Sequence, residues 1–349
     1  MREKQWYIFF SNKMMFGVFM STMLKNLIRP GMIFIPFVLG AIFPDVGKLS
    51  FLIRWLLIVM FYMVCLQIKI RNLKPQKWHW YLLLANLGIG LGGYYLFHFA
   101  GNEQLALAAF FVGITPTANA APVVMAFLNG RVAYVVSGFV ITNLGVSLSL
   151  VGLLPLVTGN TSLGFVADIV KSLLLIIGLP ALMALITRKL FPDSTKWPGK
   201  CKTFSLFLWS CTLFIIAGEA FTFLETNPHV SPMIIAEIAL VSMSICILNF
   251  WLGGFLVPHR IKRESSQLLG QKNTTFTLYL ALTFVNPLIA MGPIFYVFWH
   301  NVWNALQMFL YDRHRNQRAL PLHVKIRVRT AAQRRRKLKM LRRKRSHAI

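Results

Sequence analysis

Runs of about 20 apolar residues alternate along the chain with short polar segments, the pattern of helices that each cross a hydrocarbon layer about 30 Å thick. Ten spans are predicted: residues 31 to 44, 50 to 68, 79 to 99, 104 to 128, 132 to 157, 164 to 187, 203 to 224, 231 to 257, 265 to 285 and 289 to 311. The first reaches full length if its helix begins near Lys25, with Pro30 near its first turn. Residues 1–24 contain WYIFF and MMFGVFM, but Asn12 and Lys13 interrupt them. An interfacial helix is therefore expected there rather than an eleventh span, and the order of segments is not that of a signal peptide.

The spans divide into two fives around the loop TGNTSL, residues 158–163. Five is odd, so two homologous halves would lie in opposite orientations, as in secondary transporters whose sites form at broken helices near the midplane. Breakers are then expected in the fourth span of each half. The fourth span reads LAAFFVGITPTANAAPVVMAFLNG, with Gly113, Pro116 and Pro122 around Thr115, Thr117 and Asn119. The ninth reads SSQLLGQKNTTFTLYLALTFV, with Gly270, Gln271, Lys272, Asn273, Thr274 and Thr275 adjacent. The predicted fold is an all-α membrane protein of ten transmembrane helices in two inverted five-helix repeats, 25–157 and 158–311, with helices 4 and 9 broken.

Composition agrees with this pattern. Of 349 residues 56% are hydrophobic and 13% charged, and a mean hydropathy of +0.60 excludes a water-soluble protein of this length. The net charge of +27 is largely topological. With the N-terminus inside, all of the 37 Lys and Arg except Lys48, Arg54, Lys171 and Lys272 fall in inner segments. That predicts a cytoplasmic (inner) membrane location with both termini cytoplasmic. The basic tail, residues 312–349, suits contact with anionic lipid, and no nucleic acid is expected as a partner. The four cysteines give neither a disulfide framework nor zinc-ligand spacing. Nucleotide loop, metal-binding His pair and nucleophile elbow are all missing, so no enzyme and no cofactor are expected.

At the two broken spans the chain resembles the bile acid:sodium symporter family, in its bacterial organic-anion transporter branch. TPTANAAPVVMAFLNGRVAY is similar without a gap to the family's fourth-helix run, and Leu268 to Asn273 stand on its ninth-helix E-x-G-x-Q-N motif. GPIFYVFWHNVWNAL, with Pro293 and Asn301, resembles the tenth helix, and MFYMVCLQIKI the second. The resemblance covers residues 30 to 310. It implies a panel of helices 1, 2, 6 and 7 against a core of helices 3, 4, 5, 8, 9 and 10, with helices 4 and 9 crossing where relatives hold two sodium ions.

The departures from that pattern concern sodium. By the resemblance, ligand positions fall on Ala121, Pro122, Val135, Phe139, Leu268 and Lys272, and none of these offers a side-chain oxygen. An ammonium carries the same charge as a monovalent metal ion and can donate to the carbonyls that would ligate it. Lys272 thus reads as a tethered cation substitute, as a substrate or proton site, or as a snorkelling residue. Glu219, in LFIIAGEAFTFL, reads as its counterion, as a proton carrier, or as a structural hydrogen-bond donor. Asn86 and Asn143 suit hydrogen bonds between helices.

The expected function is alternating-access transport of a small organic anion without sodium coupling, proton coupling remaining open. The expected site comprises Lys272, Gln271, Asn273, Thr274, Thr115, Thr117, Asn119, Glu219 and Asn301. Sodium-coupled symport of the bile acid type and a transporter-like sensor that binds without cycling are the alternatives. Oligomeric state is not readable from the chain.

Overall fold

The computed structural model describes residues 35–36, 38–68, 71, 73–200 and 202–319. The expected interfacial segment, the start of the first span and the tail beyond Ala319 lie outside these. The described residues are helical and form no strand. After a 3-10 turn, Pro44–Leu49, come α1 (Phe51–Gln67), α2 (Lys77–Phe99), α3 (Glu103–Ile114), α4 (Ala120–Phe127) and α5 (Val132–Thr158). Then follow α6 (Leu163–Leu190), which contains a π turn over Leu174–Gly178, α7 (Lys202–Thr226) and α8 (Pro232–Phe255). The series ends with α9 (Lys262–Gly270), α10 (Thr274–Phe284) and α11 (Pro287–Ala319).

Local chemistry sets these limits. Gln76 and His79 close a reciprocal capping box at the start of α2. Asn102 Oδ1 accepts from Leu105 N at 3.1 Å to start α3. Between these two helices Gly101 takes φ +79°, a left-handed turn that lets α3 fold back on α2. Ser231 and Pro232 start α8, and Gly159 at φ +70° ends α5.

Among the described residues, five helices are long and apolar enough to cross a membrane: Lys77–Phe99, Val132–Thr158, Leu163–Leu190, Phe207–Thr226 and Pro232–Phe255. The ten predicted spans are not all met by length. The fourth and ninth are each split into two short helices, α1 has 17 residues, the first span is only partly described, and α11, over the tenth, is not among the five. Polarity runs outside-in, as suits a membrane-embedded protein. Leu163 and Phe99 are 88% and 81% exposed, whereas Asn249, Thr115 and Thr277 are 0% exposed.

Two sets of neighbours stand out within residues 1–304. The Pro44–Leu49 turn packs on α7, and α1 on α6 and α7. Gly47 and Gly218 make the first contact close: a Cβ on Gly47 would lie 2.6 Å from Glu219 N. In the second set α2 packs on α3 and α5, α8 on α3 and α9, and α9 on α5. Among the described residues, Ala305 to Ala319 belong to a second unit and are helical.

Candidate functional site at the helix crossing

Both broken spans are interrupted where the sequence places its breakers. Proline at 116 has no N–H for the α3 ladder and drives the preceding residue out of the helical region, and Thr115 takes φ −48° and ψ 128°. On the other strand Gln271 is extended at φ −85° and ψ 100°. The two breaks meet as an antiparallel bridge between Thr117 and Lys272. Ala118 N donates to Gln271 O and Asn273 N to Pro116 O, each at 2.7 Å.

Breaking two helices inside an apolar layer frees carbonyls that water cannot satisfy there, at a cost of about 1–3 kcal/mol for each one left unpaired. The chain answers with side chains arranged by a local twofold. Thr117 Oγ1 donates to Leu268 O at 2.6 Å, four residues before Lys272. Lys272 Nζ donates to Gly113 O at 3.1 Å, four residues before Thr117. Each bridge residue therefore caps the helix of its partner. Lys272 Nζ also donates to Asn86 Oδ1, and Asn86 Nδ2 donates to Ile114 O at 2.9 Å.

At the other half-helix end Tyr296 Oη donates to Gly270 O at 2.8 Å, and Asn249 Nδ2 donates to Tyr296 Oη at 3.3 Å. Asn143 Nδ2 donates to Thr117 O at 2.9 Å, and Thr142 Oγ1 to Thr117 Oγ1 at 2.8 Å. Thr115 and Thr277 share a hydroxyl bond of 2.8 Å, so α3 and α10 are tied across the crossing. Close backbone approach makes these short reaches feasible. A Cβ on Gly113 would sit 2.7 Å from Gly90 Cα, and one on Gly253 2.6 Å from Ser265 O.

Most of the expected site residues lie at or beside this crossing. Lys272, Gln271, Thr115, Thr117 and Thr274 are all buried at the crossing, Lys272 to 1% exposure. Asn119 and Asn273 precede α4 and α10 without capping them. Asn119 Oδ1 and Asn273 Nδ2 are buried and have no partner. Asn301 Nδ2 turns back on Val297 O at 2.7 Å. Asn304, one turn on, donates to Gln271 Oε1 and accepts from Gln267 Nε2. No hydrogen bond or ion pair joins Glu219 to Lys272, and Glu219 Oε2 is buried without a hydrogen-bond partner among the described residues.

Sequence reasoning missed Asn304, Tyr296, Thr142 and Thr277. Asn304 carried one usable signal, its position three residues after Asn301, which places both near the same side of a helix. The chain matches no family model and no curated protein, so the likeness to the bile acid:sodium symporters rests on the motifs themselves.

Proposed function

We propose that the chain is a secondary transporter for a small organic anion and that the Lys272 ammonium occupies the place of a coupling cation. The observation that carries this reading is the bond from Lys272 Nζ to Gly113 O, at the frayed end of a broken span and out of reach of solvent. Main-chain carbonyls at such an end are hard-oxygen ligands of the kind that hold a sodium ion, and here a fixed side-chain cation donates to one of them. With the charge covalently attached, no ion needs to enter for the crossing to hold together.

Two further features support the reading. The N-termini of α4 and α10 converge on the bridge and bring the positive ends of two helix dipoles to one place, which favours an anion nearby. Asn119 and Asn273 stand at those ends with polar atoms that no protein group engages. The packing of α1, α6 and α7 in one set and α2, α3, α5, α8 and α9 in another suits movement of one group against the other, the panel and core that the resemblance implies.

Reconstituted proteoliposomes provide the test. Purified full chain is expected to accumulate or exchange radiolabelled 2-oxo acids, sulfonates or bile acids above protein-free liposomes. Saturable binding with no uptake in either direction would contradict transport and favour the sensor.

A further inference from the structure

Lys272 cannot meet a substrate anion in this arrangement, because it is buried and bonded to Asn86 and Gly113. Another charge must then select the anion, and we infer that Arg54 does so, taking an oxyanion, a carboxylate in the first instance, where α1 meets α10. This inference rests on the organic-anion transporter reading.

Arg54 lies in the first turn of α1. The residues around it divide the helix into two faces. Ile53, Leu57, Ile58 and Phe61 are buried, whereas Phe51, Trp55 and Val59 are exposed. Arg54 stands four residues before Ile58 and seven before Phe61, so its Cα–Cβ bond points to the buried side. Yet its side chain is only half-buried. Its guanidinium reaches across to α10, where Nε donates to Tyr279 Oη at 2.9 Å and Cζ lies 5.8 Å from the Tyr279 ring centre. Tyr279 is itself buried, 5% exposed, in the core cluster with Phe276 and Phe61.

The Tyr279 bond uses one N–H and fixes the plane of the fork. The two terminal NH2 groups find no acceptor among the described residues, and the ion pairs there, Lys48–Asp45, His98–Glu103 and Lys196–Asp193, lie elsewhere. A permanently charged, oriented guanidinium with its terminal donors unmet matches the two oxygens of a carboxylate. Its position adds to the match. Among the basic residues of the ten predicted spans, Lys272 is sealed and Lys171 is exposed on α6, which leaves Arg54 at a junction between two helices. A phospholipid phosphate offers the same oxygens, so the test separates the two sources.

Thermal unfolding of the purified full chain in detergent is followed with pyruvate and cholate, with neutral pyruvamide and cholate methyl ester, and with added phosphatidylglycerol. At least one carboxylate is expected to raise the unfolding temperature while its neutral counterpart does not. Arg54→Gln is expected to abolish that shift, and Arg54→Lys, which keeps the charge without the fork, to weaken apparent affinity by about tenfold or more. Tyr279→Phe leaves the guanidinium charged but free to turn and is expected to weaken it less. If Arg54→Gln does not fold, Arg54→Lys and Tyr279→Phe carry the comparison.

An undiminished carboxylate shift in the Arg54 variants would overturn the assignment and leave anion transport standing. Stabilisation by phosphatidylglycerol that depends on Arg54, with no competition from either carboxylate, would overturn it in favour of a lipid anchor. Absence of a carboxylate shift in every protein, wild type included, would remove the organic-anion reading and this inference with it.

Discussion

At the scale of single residues, the crossing is a set of one-to-one answers to freed carbonyls, which makes each side chain separately testable. Thr117→Val keeps shape but leaves Leu268 O without this donor, while Thr142 Oγ1 retains Gly138 O, and should cost about 1–3 kcal/mol in thermal unfolding. Lys272→Gln removes the fixed charge while Ala121, Pro122, Val135, Phe139 and Leu268 still offer no side-chain oxygen. That variant should lose most uptake, and added sodium should not restore it. Uptake at the wild-type rate would mean that Lys272 is neither cation substitute nor proton carrier. The sequence made Lys272 legible because an ammonium inside an apolar run has few innocent explanations. It did not make Asn304 or Tyr296 legible. Which side of α11 faces the crossing depends on how that helix is rotated in its packing, and a run with polar residues at 300, 301 and 304 leaves several rotations open.

At the scale of elements, Pro116 and Gly270 put the breaks where they are, and both were readable from the residues alone. Less legible was how the helices come close enough for short side chains to bridge them. Asn86 and Gly90 on α2 have the same four-residue spacing as Asn249 and Gly253 on α8. In both helices the glycine allows close approach to a broken span, and the asparagine one turn away serves that span's frayed end, directly from Asn86 and through Tyr296 from Asn249. In the sequence Gly90 was hidden among the glycines of LGIGLGGYY, where Gly88 and Gly92 have open space around them. Gly113→Ala should separate α2 from α3, because its methyl group would meet Gly90 backbone at 2.7 Å. A loss of about 1–3 kcal/mol in thermal unfolding is expected. Gly92→Ala is the control and should be close to neutral.

At the scale of the whole molecule, the count of spans was readable from hydropathy only as far as helices stay whole. Among the described residues the fourth and ninth spans do not count as long apolar helices, because each is split into two pieces too short to qualify. Charge distribution carries the orientation, and a cytoplasm-dependent reporter fused after Ile349 is expected to be active. The central claim concerns coupling: a chain that carries its own cation at the crossing should not need one from solution. The most direct measurement is initial uptake of a transported anion into proteoliposomes, with external sodium replaced stepwise by choline at constant ionic strength. The rate is expected not to change with sodium concentration. A rate that rises steeply and saturably with sodium would contradict it.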